Sequence, residues 1–167
     1  ASLKLSSFEP ARSLLSDILE ARDNSGGVIE LLTQSSKRTQ LLTDDAYRLA
    51  RAYYAVGDRA GLVRLGQQKG NLSKEGVTLL ARGLNEVLEG KVEDGLSRLR
   101  RVVSLRSKDA RTLTLLGRVF AGAKRPREAQ RLFESAMSVS EEPYQRIGLA
   151  QLLLEHGRIK QALGVAR

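Results

Sequence analysis

Cysteine is missing from all 167 residues, which removes a disulfide framework and every thiolate metal site. Histidine occurs once and aromatic residues make up only 4%, so imidazole catalysis and base stacking have little to draw on. Proline occurs three times, few enough to leave long helices unbroken. No apolar run approaches the roughly 20 residues of a membrane-spanning helix, and no signal-peptide pattern opens the chain. Acidic residues are the minority among the charges, 19 against 28 Lys and Arg, for a net charge of +9. That balance favours acidic partners, whether nucleic acid, an acidic protein or an anionic membrane surface. What remains is 41% hydrophobic and rich in Leu, Ala, Arg and Glu, too apolar for disorder and suited to an all-helical chain.

The most legible stretch is residues 110–142. Leu113, Leu116, Gly117 and Phe120 recur at helical spacing in its first half. Ala129, Leu132, Phe133 and Ala136 do so in its second. Between them Ala123–Pro126 breaks the pattern, and Pro126 is placed to open the second helix. Small residues at Gly117, Ala129 and Ala136 let two backbones approach closely. Such a hairpin cannot bury its apolar face alone and needs neighbours of its own kind.

This stretch resembles one tetratricopeptide repeat: a leucine and a small residue, an aromatic three further on, then Ala, Phe and Ala at their intervals. It departs from the family pattern at three places. Leu113 stands for the opening aromatic, Lys124 for the usual turn glycine, and Pro143 falls about two residues late. The resemblance implies a period of roughly 34 residues, and the chain keeps it. Small first-helix positions fall at Ser16, Ala50, Gly83, Gly117 and Ala150, spaced 34, 33, 34 and 33 residues. Twelve residues after each come Val28, Leu62, Gly95, Ala129 and Ala162. The expected architecture is therefore an all-α, right-handed superhelical solenoid, one domain of about five repeats near 9–42, 43–75, 76–109, 110–142 and 143–167.

Along the chain, Pro10 begins a helix to about Arg22 and Asp23–Gly27 reads as a turn. A second helix, marked by Val28, Leu31 and Leu32, gives way to polar Gln34–Gln40. Thr43-Asp44-Asp45 suggests a capped start for the next first helix, which ends at the Gly57-Asp58 turn. Its partner from Arg59 is expected to be short, because Gly66 stands where a bulky residue belongs. The third repeat has two registers. Period places Arg82-Gly83 at the leucine–small pair; apolar spacing prefers Leu80-Ala81 with Leu84 and Leu88, and the cost of burying Arg82 favours the latter. Turns are expected at Gly90-Lys91 and Gly157, and Arg167 falls inside an expected helix, so the chain reads as a piece of a longer one.

No catalytic constellation emerges. His156 lies beside the turn glycine Gly157 without a partner in sequence, no phosphate-binding Gly-x-x-x-x-Gly-Lys-Ser/Thr occurs, and the acid pairs fall at helix starts. Neither an enzyme nor a cofactor is expected. The resemblance implies a non-catalytic scaffold whose first helices line a concave groove for another protein. On that face stand Tyr47, Arg51, Tyr54, Leu84, Arg111, Thr114, Arg118 and Tyr144, an arginine–tyrosine set with an apolar middle that suits an acidic or acidic-apolar segment. The subtype that clamps acidic chaperone tails is disfavoured, since its slots hold Tyr47 and Arg51, an apolar pair, then Thr114 and Arg118, with no Asn pair. A second basic feature, with Arg98, Arg101, Arg127 and Arg131, runs along second helices and offers an alternative nucleic-acid or anionic-polymer surface. Arrays of this style further imply a bacterial origin and an envelope assembly for exopolysaccharide export, pilus biogenesis or secretion. The compartment would be cytoplasm or periplasm, with membrane attachment through chain not present here.

Overall fold

Leucine, valine and alanine at 3.6-residue spacing, interrupted by short breaks, dictate helices joined by tight turns. The computed structural model describes residues 8–36, 41–67, 75–140 and 142–166. Among them are ten helices and no strand. These are α1 (Phe8–Ala21), α2 (Ser25–Ser36), α3 (Thr43–Ala55), α4 (Arg59–Gly66), α5 (Glu75–Leu88), α6 (Val92–Leu105), α7 (Ala110–Gly122), α8 (Pro126–Val139), α9 (Pro143–Glu155) and α10 (Ile159–Ala166).

One turn geometry ends α1, α3, α5, α7 and α9. The left-handed residues of the described chain are Asp23, Gly57, Gly90, Lys124 and Gly157, with φ between 52° and 82°. They are spaced 34, 33, 34 and 33 residues, the same rhythm as the small positions. After each, the next N–H reaches back five residues: Asn24 to the Leu19 carbonyl, Asp58 to Tyr53, Lys91 to Glu86, Arg125 to Phe120 and Arg158 to Leu153, all at 2.8–2.9 Å. This closes the otherwise unsatisfied carbonyls of the helix end and fixes the direction of the chain that follows.

The chain divides into two compact units, residues 1–91 and 92–167. The boundary falls inside the expected third repeat, between α5 and α6. In the first unit α1 packs on α2, α2 on α3, α3 on α4, and α3 and α4 on α5. Its core holds Val28, Leu32, Leu49, Ala50, Leu62 and Leu80. In the second unit α6 packs on α7, α7 on α8, both on α9, and α9 on α10. There the Phe133 ring sits between α7 and α9, where a Cβ on Gly117 or Gly148 would come within 2.9 or 2.5 Å of it. Glycine at these two positions is what lets the helices close on the ring.

Several local expectations meet their outcome here. Pro126 is the first residue of α8, and α4 ends at Gly66 after eight residues. The Gly66 carbonyl accepts a hydrogen bond from Arg82 Nε at 3.1 Å, which keeps Arg82 exposed while Leu80, Ala81, Gly83 and Leu84 are buried. Burial thus follows Leu80, Ala81 and Leu84 of the apolar spacing, whereas Leu88 is exposed, and the turn at Gly90 keeps the period through buried Gly83. Two readings are corrected. The turn after α1 is shorter than Asp23–Gly27, because the Asn24 side chain accepts from the Gly27 N–H and caps a helix that begins at Ser25. Thr43 is not a cap: the cap position is Leu42, without a side-chain bond, and Asp45 is drawn inward to Arg12. The polar stretch after α2 runs partly outside the described residues, since α2 continues to Ser36 and 37–40 are not described.

Candidate partner-binding surface

A first helix covered by its own second helix on one side and by a neighbouring helix pair on the other keeps only a narrow strip for solvent. On α7 the strip runs through Arg111, Leu115, Arg118 and Gly122, with Arg118 and Gly122 exposed and the other two half-buried. Arg111 Nη2 lies 3.8 Å from Glu142 Oε1 at the start of α9. On α3 the strip is Asp44, Arg48, Arg51 and Ala55. Tyr54 borders it, half-buried, and burial raises its phenol above the ordinary value.

Three residues expected on the groove face are instead interior. Tyr47, Leu84 and Thr114 are each no more than 3% exposed, and the Thr114 hydroxyl donates to the Ala110 carbonyl at 2.8 Å. They stand one position away from the solvent strip, where the helix is already covered by neighbours. Arg51 is half-buried and tied to α1: its Nε and Nη2 donate to Glu20 Oε1 at 3.1 and 2.7 Å. Tyr144 lies in the first turn of α9, and its side chain is outside the described set.

The sequence reading missed the ionic network that surrounds Arg51. Arg12 of α1 meets Asp45 of α3 at 2.9 Å, and Arg48 reaches Asp17 at 2.9 Å and Glu20 at 3.7 Å. The Arg12 and Asp45 side chains are almost wholly buried. Burial pushes the Asp45 carboxyl above its ordinary value, against the opposing pull of Arg12 and Arg48. The two residues stand 33 apart, about one period, but a period marks equivalent positions and does not by itself say which helices face each other. Also missed was Gln145, completely buried on α9 with neither amide atom hydrogen-bonded.

The basic set divides differently. Arg101, Arg127 and Arg131 are exposed and Arg98 half-buried. Between them Arg100 is held by Glu128, Nε to Oε2 at 2.9 Å and Nη2 to Oε1 at 3.1 Å, with its guanidinium 5.6 Å from the Phe120 ring centroid. That pairing lowers the Glu128 carboxyl. Arg125 pairs with Glu93. These contacts join α6 to α8. His156 is exposed, its Nδ1 2.9 Å from the Leu152 carbonyl. Among the described residues no group of acids or histidine is placed to hold a metal ion, and no helix is long and apolar enough to cross a membrane.

No family model matches the sequence, and no curated protein matches it. Solved structures do. TTC0263, a thermophilic TPR protein of Thermus thermophilus, is 22% identical, with a TM-score of 0.65 over 94% of this chain and 87% of its own. This is a divergent tetratricopeptide-like fold. MamA of Desulfovibrio magneticus RS-1, residues 41 to the end, is 16% identical with a TM-score of 0.54, covering 93% of this chain and 89% of its own. Another MamA crystal structure is 13% identical with a TM-score of 0.53, covering 90% of each chain. At these identities the likeness is one of fold. The tetratricopeptide-like fold accounts for the recurring left-handed turns, for small residues at the first-helix crossings, and for the narrowness of the exposed first-helix strip.

Proposed function

We propose that this chain is a non-catalytic scaffold that binds another protein through the exposed strip of its first helices. The observation that carries the reading is Arg118, exposed on α7 beside half-buried Leu115 and Arg111 while Leu113, Leu116, Gly117, Val119 and Phe120 are buried. A guanidinium rising from an apolar ledge recognises a carboxylate that carries apolar neighbours, which is the chemistry of an acidic-apolar segment. Tyr54 supplies the corresponding amphipathic contact in the first unit. Arg51 is better read as a tether between α1 and α3, so reversing its charge would set a carboxylate against Glu20 and test the fold instead.

The test is capture of partners on the immobilised chain, followed by titration with the captured protein. Arg118→Glu is expected to weaken binding about tenfold or more, as truncating or reversing a central charged contact does. Arg127→Glu with Arg131→Glu is expected to leave it within about twofold. The reverse pattern would overturn the reading.

A nucleic-acid surface is the second reading, and charge distribution favours it specifically. Residues 92–167 hold fifteen of the 28 Lys and Arg but only eight of the 19 Asp and Glu. Under this reading the chain binds random-sequence RNA or DNA with a steep salt dependence, and Arg127→Glu with Arg131→Glu flattens that slope.

A further inference from the structure

Helices α7 and α9 begin on the same pair of polar positions, and only α7 joins them. Eight and five residues before the small position Gly117 stand Asp109 and Thr112; the same counts from Ala150 give Glu142 and Gln145. Asp109 occupies the cap position of α7, accepting from the Thr112 N–H at 3.0 Å and from the Thr112 hydroxyl at 2.8 Å. Thr112 is thereby satisfied although it is completely buried. In α9 the cap residue is Glu142, whose backbone already has the extended conformation a cap needs (φ −64°, ψ 140°). Its carboxylate nevertheless makes no capping bond and stands 3.8 Å from Arg111 Nη2, across on α7. Gln145 is completely buried with no protein partner for either amide atom, and its N–H donates to the Glu142 carbonyl at a long 3.3 Å. A buried amide left unpaired is unfavourable enough to shift an equilibrium by about tenfold. An exposed carboxylate at 3.8 Å from a guanidinium is held weakly by comparison.

We propose that Glu142 is a two-position switch at the start of α9. In one position its carboxylate pairs with Arg111. In the other it caps α9 as Asp109 caps α7, accepting from the Gln145 N–H and from Gln145 Nε2. Asp109 keeps an ion pair with Arg106, three residues back, while it caps. Glu142 has Val139 at that place, so its arginine lies on another helix and capping draws the carboxylate away from it. The two positions therefore compete, and Arg111 sets the balance between them. An anion that takes Arg111 releases Glu142 to the cap. Where α7 is the partner-binding strip, the carboxylate of an acidic-apolar segment does this, so that occupying the strip also tightens the first turn of α9 and satisfies Gln145. This coupling rests on the proposed function; the switch itself does not.

Hydrogen exchange of the Gln145 main-chain amide, followed by NMR in the chain without a partner, tests the switch. Arg111→Gln removes the charge that holds Glu142 and is expected to slow this exchange about fivefold, the effect of gaining a cap. Glu142→Ala added to Arg111→Gln is expected to abolish the slowing. Were the ion pair simply a brace between α7 and α9, Arg111→Gln would speed the exchange. Faster or unchanged exchange in Arg111→Gln overturns the proposal, as does slowing that persists in the double variant. Should Arg111→Gln fail to fold, Glu142→Asp decides, because the shorter carboxylate loses its reach to Arg111 and caps as Asp109 does. Slower Gln145 exchange in that variant supports the switch, and unchanged or faster exchange overturns it. These rates are read with no partner present, so their outcome is separate from that of the capture experiment on Arg118.

Discussion

At the scale of single residues, the ion pair between Arg12 and Asp45 illustrates how a buried charge constrains a repeat crossing. Both side chains lie out of solvent, and burial raises the Asp45 carboxyl even with Arg12 at 2.9 Å. Removing Asp45 takes from the buried Arg12 guanidinium the carboxylate that faces it at 2.9 Å, so Asp45→Ala is expected to lower unfolding free energy by about 3 kcal/mol in urea titration. The double change Arg12→Met with Asp45→Leu removes both charges and is expected to cost less than half as much. An equal or larger loss in the double variant would mean that the pair itself, rather than its balance, holds α1 to α3. Glu89 is the opposite case. Its carboxylate accepts from Lys91, Arg59 and Asn85, which together lower its pKa to about 2. A carboxyl depressed in the folded chain contributes stability that is fully present above its unfolded value near 4.5 and lost as pH falls toward 2. Carbon-detected NMR titration is expected to place Glu89 near 2 and to show it rising in Arg59→Gln.

At the scale of elements, the recurring unit is a first helix closed by a left-handed residue. This was legible in sequence at Gly57, Gly90 and Gly157 because glycine alone adopts positive φ without a side-chain clash. At Lys124 the rhythm of the repeat identified the place, although the residue gave no signal of its own, and its φ is 58°. Asp23 was hidden differently: five turn-forming residues in a row concealed where the turn ended and the cap at Asn24 began. Lys124→Gly is expected to raise stability by about 1 kcal/mol and Gly90→Ala to lower it by a similar amount, since a Cβ in the left-handed region is unfavourable by that order. Thermal unfolding of the two variants would check both signs. Core positions were legible where period and apolar spacing agree, as at Leu49, Ala50, Leu113 and Leu116, and ambiguous in the third repeat, where they do not. The solvent strip was read poorly because Tyr47, Leu84 and Thr114 sit one position from it, and polarity or size does not tell a flanked position from an open one. Long-range pairing such as Arg12 with Asp45 requires knowing which helix lies across the crossing, information that a period implies only once the stacking is in view.

At the scale of the whole molecule, two units of helical hairpins share one turn geometry and one spacing, and residues 92–167, with fifteen Lys and Arg against eight Asp and Glu, carry most of the net positive charge. Apolar side chains fill the interiors, so specificity for a partner falls to the few polar and aromatic groups left on the first helices. Under the proposed reading Arg118 and Tyr54 are the contacts to test, and Arg101, Arg127 and Arg131 those of the competing surface. Hydrogen–deuterium exchange of the chain, alone and saturated with a partner captured on it, separates the two most directly. The account predicts slowed exchange centred on α7 and the start of α9, with the side-chain strip of α3 contributing through Tyr54. Slowed exchange confined to α6 and α8, or none on α7, would contradict it.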